Sequence, residues 1–531
     1  MTTVAAGHAK TLTTSVPYHA EPALLYQQLC SHSGKLRPHT LLLESAEIDS
    51  KAGLKSLLLI DAALSVRCDG RRIILNALTA NGENLLPYLA EQLTELGQVE
   101  IKHPQLTVEL AAIPNGLDED SRLQAPSPLS VLRTLQQQIR SDNALSESLL
   151  LAGVFAFDLV ASVEPLPDVA DSANNCPDYL FYLAETTLVL DHQQRSGRLI
   201  GTVFGGEHSH AVSNDKRLRL GELAGQLQRP LEPQSVTEPA TAAATINHNI
   251  KISQTDAEFA AKVEQLQEHI RAGDIFQVVP ARRFSLPCPQ PLAAYQRLRE
   301  LNPSPYMFFM QADDFSLFGA SPESALKYDH HSNQVEIYPI AGTRVRGKHA
   351  DGTVDHDLDG RIELGLRQDQ KELSEHLMLV DLARNDVARI SEPGSRKVAE
   401  LLKVDRYSHV MHLVSRVTGQ LRHDLDALHA YQACMNMGTL TGAPKVRAAQ
   451  LLRQAEGERR GSYGGAVGYL NGRGDMDTCI VIRSALVNNG IAHVQAGAGV
   501  VHDSVPQSEA DETRNKAQAV LRAISQAGGA L

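Results

Sequence analysis

The sequence predicts an α+β protein built from antiparallel strands and long helices. Near the C-terminus, the strand-like runs "GGAVGYL", "DTCIVIRSALV" and "IAHVQAGAGV" are separated by "NGRGD" and "NNG", a pattern typical of an antiparallel meander. Two earlier runs flank Asp69-Gly70, a strong two-residue hairpin signal. Thr255 and Glu258 form a capping box ahead of an amphipathic helix that ends near Gly273. Meanders mixed with long helices argue against a doubly wound sheet.

The overall composition is that of an ordinary soluble globular protein. The chain has 531 residues, of which 43% are hydrophobic and 21% charged. The formal net charge of -12 disfavours a nucleic-acid partner, because phosphate binding requires a basic surface. The six cysteines contain no C-x-x-C pair, so neither a zinc ribbon nor a disulfide scaffold is indicated. With no apolar leader and no long apolar span, we expect a cytoplasmic chain without a membrane partner.

Residues 228–247 are predicted to form a linker. The stretch is rich in Pro, Thr and Ala and has no apolar period. It divides the chain into an N-terminal region, 1–227, and a C-terminal region, 248–531.

Two acidic pairs are candidates for a metal site. Glu372 with Glu375, and Glu509 with Glu512, stand three residues apart on predicted helices. If the two helices face each other, their carboxylates offer the hard oxygen ligands that Mg²⁺ prefers. Each pair alone also fits a solvated charged face, and the sequence does not show whether the helices meet.

Three other motifs have a chemical and a structural interpretation. Glu323 in "GASPES" follows a strand and a proline, where a carboxyl suits acid-base work, although an isolated glutamate is usually on the surface. His412 lies on an apolar stretch and is a catalyst or a core residue. The glycines of "VQAGAGVVH" bring backbone N–H groups to an anion or simply form turns. They are not a dinucleotide fingerprint, because His502 occupies a required glycine position.

The stretch "IYPIAGTRVRG" at 337–347 raises a separate question. Arg344 and Arg346 follow a strand and a glycine, as if to present cations to something anionic. At the centre of the stretch stands Ala341, a residue with no chemistry of its own.

Together these motifs carry a family resemblance. The segments, in order, are "DIFQVVPARR", "GASPES", "PIAGTRVRG", "KELSEHLMLVDLARND", "TLTGAPK", "GAVGY", "IRSA", "QAGAGVV" and "SEADETRNKA". Over residues 20–525 the chain resembles the chorismate-utilising enzymes, and within them the large, ammonia-dependent subunits of anthranilate synthases. The resemblance implies large layered antiparallel β-sheets flanked by helices, in two intertwined subdomains. It also implies a Mg²⁺-dependent conversion of chorismate and ammonia to anthranilate and pyruvate, the first committed step of tryptophan biosynthesis.

The resemblance assigns roles to the acidic residues. It implies that Glu375 and Glu512 bind Mg²⁺, and that Glu372 and Glu509 are outer partners of these two ligands. It implies that Glu323 is the general acid, and we expect neighbouring carboxylates to favour its protonated form.

The same resemblance implies a substrate site. His412 matches a histidine that the family associates with the elimination half of the reaction. Arg483 offers a bidentate guanidinium to a dianionic substrate. The full set implied to contact chorismate is Gly342, Thr343, Tyr463, Arg483, Gly497, Ala498 and Gly499.

Two positions distinguish the branches of the family. In aminodeoxychorismate synthases a lysine at the position of Ala341 attacks the substrate, which a methyl group cannot do. In the isochorismate and salicylate branches a lysine at the position of Gln277 activates water, whereas glutamine is no base. Ammonia is therefore the expected nucleophile.

The N-terminal region, 1–227, is implied to be regulatory. "LLLESAEIDS" and "NPSPYMFF" match the family's tryptophan-feedback motifs, so tryptophan is the expected inhibitor. The residues so implied are Glu44, Ser45, Pro305, Tyr306 and Met307.

A second subunit is also expected. No cysteine stands in a G-x-C-x-G setting, so the chain contains no recognisable glutaminase, and a separate glutamine amidotransferase should supply ammonia. The family usually assembles two chains of each kind.

Two alternatives stay open. One is an aminodeoxychorismate synthase component, which Ala341 and "LLLES" oppose. The other is a non-catalytic tryptophan-binding regulator. The retained acidic residues and Arg483 oppose that alternative.

Overall fold

The computed structural model describes residues 3–45, 54–112, 116–142, 145–229, 250–349, 351–407 and 410–528. Strands and helices are numbered in chain order. The strands before the predicted linker are β1 His8–Val16, β2 Ser31–His32, β3 Lys35–Leu36, β4 Thr40–Glu44, β5 Lys55–Asp69, β6 Arg72–Ala77, β7 Gly97–Lys102, β8 Gln105–Leu110, β9 Arg140–Ser141, β10 Leu150–Phe155, β11 Tyr179–Asp191 and β12 Ser196–Phe204. The strands after it are β13 Lys251–Ile252, β14 Gln277–Val278, β15 Ala281–Pro287, β16 Tyr306–Gln311, β17 Ser316–Ser321, β18 Ser324–Asp329, β19 Gln334–Ile337, β20 Ile340–Val345, β21 Lys397–Arg406, β22 Val410–Gln420, β23 Gly442–Ala443, β24 Ala466–Asn471, β25 Met476–Ile480, β26 Ser484–Asn488 and β27 Ile491–Gly497.

The helices flank these strands. They are α1 Pro22–Cys30, α2 Ala80–Glu83, α3 Leu86–Leu93, α4 Glu119–Gln124, α5 Pro128–Gln138, α6 Ser209–Leu227, α7 Asp256–Arg271, α8 Pro291–Leu301, α9 His356–Gln368, α10 Gln370–Ala388, α11 Ala427–Cys434, α12 Gly438–Thr441, α13 Lys445–Glu456 and α14 Pro506–Ala527.

The sheet system joins both halves of the chain. In the N-terminal half, β11 pairs antiparallel with β5, β10 and β12, and β12 pairs with β1. In the C-terminal half, β15 pairs with β27, β27 with β26, β26 with β17 and β17 with β16. Two antiparallel pairs, β4 with β16 and β10 with β24, connect the halves. The predicted α+β class with large antiparallel sheets is therefore confirmed.

Local sequence signals are confirmed where neighbouring residues decide the structure. β5 and β6 form a hairpin in which Asp69 pairs with Arg72, and Gly70 has a φ of 63°. Helix α7 begins after Thr255, whose hydroxyl and the carboxylate of Glu258 cap each other's backbone N–H groups.

The predicted meander is wrong at its centre. "DTCIVIRSALV" forms two strands, β25 and β26, interrupted before Ser484. Arg483 has a φ of 48°, a left-handed conformation that ends one strand, and its carbonyl accepts a hydrogen bond from the Ala320 N–H. The C-terminal segment is therefore two hairpins, and the break between them places Arg483 in the site described below.

A helical layer covers one face of the C-terminal strands. Helices α8 and α14 pack together, and Tyr295 and Val520 from these helices are buried with Phe309 and Phe318 from β16 and β17. Burial of each such side chain stabilises the fold by about 1.5–3 kcal/mol. This packing fixes α14, which carries part of the candidate site.

Three sequence predictions concern the chain as a whole. Most of the predicted linker, 228–247, lies outside the described residues, so the division into 1–227 and 248–531 stays a prediction. Among the described helices, none is both long and apolar enough to cross a bilayer. All six cysteines are buried and free of disulfide bonds.

Candidate active site

Glu323 lies at the tight turn that joins β17 to β18. The Ser321 Oγ accepts a hydrogen bond from the Glu323 N–H at 3.3 Å and donates to the Glu323 carbonyl at 3.2 Å. The Ile480 N–H donates to the same carbonyl at 3.0 Å. The backbone of Glu323 is therefore held from both sides, and its side chain is only 7% exposed.

The environment of Glu323 keeps its carboxyl protonated near neutral pH. Burial raises the pKa of Glu323 to about 8, although Thr439, Lys516 and Arg483 lower it in part. The prediction that neighbouring carboxylates would favour the protonated form is wrong, because the surrounding charges are cationic. Loss of water around the carboxyl is the physical cause.

The carboxylates of the two predicted acidic helices, α10 and α14, come close enough to interact electrostatically. Burial raises the pKa of Glu375, and the nearby carboxylates of Glu372 and Glu512 raise it further. Burial likewise raises the pKa of Glu509, and Glu512 adds to that shift. Four carboxylates thus share one region, an arrangement that is unfavourable unless cations neutralise it.

Part of that neutralisation comes from the protein itself. Lys516 donates to the Glu512 carboxylate at 2.6 Å, and Arg344 donates to Glu372 at 2.8 Å. Arg344 also pairs with Asp369, while Arg346 binds Asp359. The two arginines of "IYPIAGTRVRG" therefore face anions of the protein's own helices, not a ligand.

Among the described residues, no lysine or arginine forms an ion pair with Glu375, and the chemistry of this carboxylate suits Mg²⁺. In the described part of the chain, no three His, Cys, Asp or Glu side chains form a complete metal cage. Mg²⁺ does not require one, since it is commonly held by one or two carboxylates together with water and substrate oxygens. Glu375 and Glu512 fit this pattern, and their role as ligands stays a prediction.

β20 and β22 bring Gly342, Thr343 and His412 together. Thr343 pairs across the strands with His412, and its hydroxyl hydrogen-bonds the imidazole Nδ1 at 2.9 Å. Burial and the Arg483 charge lower the pKa of His412 to about 3, so the ring is neutral at physiological pH. Gly342 has a φ of 80°, and a Cβ there would lie 3.2 Å from the Glu372 carboxylate. Glycine therefore lets β20 approach α10 closely.

The turn after β27 lies against the same carboxylates. A Cβ on Gly499 would lie 3.1 Å from the Glu375 Oε1, so the absence of a side chain lets the backbone reach the acidic pair. The Ala498 N–H donates to the Pro280 carbonyl at 3.1 Å, and the Gly497 carbonyl accepts from Lys516 Nζ at 3.1 Å. The contact of this turn with a substrate stays a prediction.

Tyr463 and Arg483 supply a hydroxyl and a cation to the site. The Tyr463 hydroxyl oxygen accepts a hydrogen bond from the Gly497 backbone N–H. Burial raises the pKa of Tyr463 to about 12, so the hydroxyl stays protonated. The Arg483 guanidinium interacts electrostatically with Glu323 and partly lowers the pKa of that carboxyl. A guanidinium beside Glu323 suits an anionic ligand, and the contact of Arg483 with a substrate stays a prediction.

Several contacting residues were not among the predicted site residues, although Gln277 was named as a position at which the branches of the family differ. Lys516 bridges Glu512 and the Gly497 carbonyl, and its spacing of four residues from Glu512 is a sequence signal that was available. Thr439 lies against Glu323, and Gln277 Nε2 donates to the Glu375 Oε1 at 2.8 Å. These last two contacts join distant segments and have no local signal.

A cavity of about 280 Å³ lies between the two halves of the chain. Its lining includes Glu44, Ser45, Tyr306 and Met307, because β4 pairs with β16 and sets Glu44 opposite Met307. Pro305 is buried just before β16. Glu44 is already bound by Arg299 and Tyr295, so its carboxylate is held in place.

The fold and the site define a class of protein. A buried, protonated glutamate, paired carboxylates and an arginine that interacts with that glutamate are typical of an enzyme that acts on a small anion. Residues 99–522 match the family model described as chorismate binding enzyme, and the chain belongs to that family.

Similar curated proteins indicate to which branch of the family the chain belongs. The chain is 58% identical over 516 residues to anthranilate synthase component 1 of Salmonella typhimurium strain LT2, with 97% of each chain covered. It is 57% identical over 516 residues to anthranilate synthase component 1 of Escherichia coli strain K12, again with 97% of each covered. Within the family, the chain falls in the branch of anthranilate synthase component 1.

Solved structures agree on the fold. Anthranilate synthase component I from Streptococcus pneumoniae TIGR4 is 28% identical, with a TM-score of 0.67 over 95% of this chain and 99% of that chain. The menaquinone-specific isochorismate synthase of Escherichia coli shares the fold at 18% identity, with a TM-score of 0.66 over 99% of this chain and 96% of that chain.

Proposed function

We propose that the chain converts chorismate and ammonia to anthranilate, pyruvate and water, with Mg²⁺ as cofactor. The observation that carries this proposal is the buried carboxyl of Glu323, whose pKa is about 8, together with Lys516, whose charge acts on both Glu323 and Glu375. An acid that is protonated at neutral pH suits the loss of a poor leaving group. The identity of 57–58% to anthranilate synthase component 1 supports the formation of anthranilate as the reaction.

In the first half of the reaction, the ammonia nitrogen forms a bond to C2 of chorismate. The ring double bonds shift, the C4–O bond breaks, and Glu323 gives its proton to the departing oxygen, which leaves as water. Bound Mg²⁺, held by Glu375 and Glu512, would supply positive charge to the ring carboxylate. Arg483 holds a second anionic group of the substrate, because a buried guanidinium in this position pairs with carboxylate in two parallel hydrogen bonds.

In the second half, the C2 proton and the enolpyruvyl group leave, and the ring becomes aromatic. His412 is neutral and lacks a hydrogen-bond partner at Nε2 among the described residues, so it is available to take part in this elimination. Its Nδ1 is fixed by Thr343, which orients the ring.

We propose that tryptophan binds the cavity between β4 and β16 and inhibits the enzyme. The cavity's volume of about 280 Å³ is close to the lower range of small-molecule sites. Tyr306, which lines it, pairs with Ser321 across β16 and β17, and Ser321 holds the backbone of Glu323. A ligand that moves Tyr306 therefore acts on the turn that carries the general acid.

We propose that ammonia is supplied by a separate glutamine amidotransferase subunit in an assembly of two chains of each kind. The name component 1, carried by the relatives, supports the existence of a second component. The cytoplasmic location stays a prediction.

The experiment that tests the function uses the purified chain with chorismate, ammonium and MgCl₂, and follows anthranilate by fluorescence. The chain contains no tryptophan residue, so its own emission interferes little. We expect product that requires Mg²⁺ and that falls on addition of tryptophan. Consumption of chorismate without anthranilate would favour an aminodeoxychorismate synthase. Tryptophan binding without consumption of chorismate would favour the non-catalytic regulator.

A further inference from the structure

Arg460 is a buried cation that the reaction as proposed does not use. It lies three positions before Tyr463 and is only 3% exposed. Its Nε and Nη2 donate to the two carboxylate oxygens of Glu456 at 2.8 and 2.6 Å. Because a guanidinium loses its hydration when it is buried, it is stable there only with charged and hydrogen-bonded partners of this kind. The guanidinium is therefore held in one orientation.

The same guanidinium binds the segment beside the proposed general acid. Its Nη1 donates to the Leu440 carbonyl at 2.7 Å. Leu440 follows Thr439, and Thr439 lies against Glu323. A displacement of Arg460 would therefore reach a residue that contacts the Glu323 carboxyl.

A second carbonyl belongs to the segment that holds the turn after β27. Nη2 donates to the Val279 carbonyl at 2.6 Å, and the Glu456 Oε1 accepts a hydrogen bond from the Ala281 N–H at 2.9 Å. Between these two residues lies Pro280, whose carbonyl accepts the Ala498 N–H at 3.1 Å. The ion pair thus holds the backbone on both sides of the residue to which the turn is bonded.

The guanidinium also lies beside the Tyr463 ring. Its central carbon is 5.7 Å from the centroid of that ring and 4.6 Å from the centroid of the Phe157 ring, distances typical of cation–π contacts. The Tyr463 oxygen accepts the Gly497 N–H, so the phenolic proton remains available for another acceptor. Because a nearby cation favours the ionised phenol, the Arg460 charge makes this O–H a stronger hydrogen-bond donor toward an anion.

We propose that Arg460 is a positioning residue for chorismate, which holds the Tyr463 hydroxyl and the turn after β27 in register with Glu323. This inference rests on the proposed function, since Tyr463 and residues 497–499 are the groups that would contact chorismate. Arg460 acts through these groups and does not touch the substrate. Arginine suits this role because its planar fork binds a carboxylate and two carbonyls at once, whereas the ammonium of lysine is a single point charge.

Steady-state kinetics of Arg460→Lys test the inference. Lysine keeps a positive charge beside Glu456 and loses the fork, so kcat/KM for chorismate should fall about tenfold, and the KM for ammonia should change less than about threefold. An unchanged kcat/KM for chorismate overturns the inference. An equal change in the KM for ammonia also overturns it, because the whole site would then be loosened.

A double-mutant cycle with Tyr463→Phe shows whether Arg460 acts through the tyrosine. Without the hydroxyl, the position of that group no longer matters, so Arg460→Lys should lower kcat/KM for chorismate by less than about threefold in the Tyr463→Phe chain. An equal fall in both backgrounds overturns the inference, because the two residues would then act independently.

A second variant leaves no charge of the ion pair buried alone. Arg460→Gln together with Glu456→Gln removes both charges, and it should lower kcat/KM for chorismate at least as much as Arg460→Lys does. A wild-type value for this double variant overturns the inference.

Lys216→Met is the matched control. This lysine of α6 is 4% exposed and binds Glu185 and the Thr186 hydroxyl in the N-terminal half of the chain. The variant loses a buried cation without a change in the candidate site, so kcat/KM for chorismate should stay within about twofold of the wild-type value. A fall equal to that of Arg460→Lys overturns the inference, because the loss of any buried cation would then have this effect.

The wild-type chain separates the two levels of failure. If it makes no anthranilate from chorismate and ammonium, the proposed function fails, and the inference fails with it. If it makes anthranilate and the Arg460→Lys chain has the wild-type kcat/KM for chorismate, only the inference fails.

Discussion

At the scale of single residues, the protonation state of Glu323 makes a prediction about the pH dependence of the proposed reaction. Burial raises the pKa of its carboxyl to about 8. The acid form is therefore the major form below that pH and is lost as pH rises through it. Since an acid catalyst must carry its proton into the reaction, the turnover rate should fall as the pH rises above about 8.

A pH profile tests this expectation. The free ammonia concentration must be held constant, because more alkaline buffers convert ammonium to ammonia and would hide the fall. Glu323→Gln should lower kcat by about 10²- to 10⁴-fold, the usual contribution of a general acid, and should remove this alkaline limb from the remaining activity. A Glu323→Gln chain that keeps the wild-type rate and profile would show that another group gives the proton.

The acidic pair makes a prediction about metal binding. Glu375→Gln removes one anion and should raise the Mg²⁺ concentration for half-maximal rate by at least about tenfold, because Mg²⁺ sites depend on carboxylate charge. Glu268→Gln, an exposed change on α7 that breaks the pair with Arg271, is the control and should leave the Mg²⁺ requirement as it is. Equal Mg²⁺ titrations for both variants and the wild type would exclude Glu375 as a ligand.

At the scale of secondary-structure elements, β16 and β17 connect the proposed tryptophan site with the turn that carries Glu323. Tyr306, at the start of β16, lines the proposed tryptophan site and pairs with Ser321 at the end of β17. Ser321 Oγ contacts both the N–H and the carbonyl of Glu323. We therefore expect a change at the start of β16 to reach the turn of Glu323 through one cross-strand pair and one side chain.

Ser321→Ala should weaken this transmission while tryptophan still binds. We expect the dissociation constant from calorimetry to stay within about twofold, while the tryptophan concentration for half inhibition rises about fivefold or more, the lower range of coupling between sites. Ser316→Ala is the matched control, because this buried serine of β17 bonds Gln311 at the opposite end of the strand pair. If both variants keep wild-type inhibition, the coupling does not pass through Ser321.

The elements also show why part of the fold was predictable. The cap of α7 depends on Thr255 and Glu258, three residues apart, so the sequence contains everything that forms it. The break between β25 and β26 depends on Arg483, whose carbonyl binds the Ala320 N–H from a remote strand. A continuous apolar run hides such a break, because the pairing partner that fixes it is not adjacent in sequence.

At the scale of the whole molecule, the residues of the candidate site could be proposed from the sequence, whereas their electrostatics could not. The segments with Glu323, Glu375 and Arg483 match a family in order and spacing, so their identity could be inferred. Glu323 is protonated because it is buried, and not because a like charge lies nearby. This burial and the ion pair between Arg344 and Glu372 both depend on how distant segments pack. Charge partners and desolvation are properties of the folded chain.

None of the cysteine thiols of the chain is exposed. This burial predicts that the chain cannot release ammonia from glutamine by itself. All six cysteines are free and buried, and burial raises the pKa of each thiol, so none is a ready nucleophile toward glutamine. The isolated chain should therefore make anthranilate with ammonium and none with glutamine. Brief treatment of the folded chain with iodoacetamide should leave more than about half of the ammonium-dependent rate, because buried thiols react slowly.

Addition of a glutamine amidotransferase subunit completes the test. Glutamine should then support anthranilate formation, and iodoacetamide should abolish that activity while the ammonium-dependent rate persists, because the reactive thiol belongs to the added subunit. Glutamine-dependent activity in the isolated chain would contradict the need for a partner. Equal loss of both activities on alkylation would place a reactive cysteine in this chain, against the burial of all six.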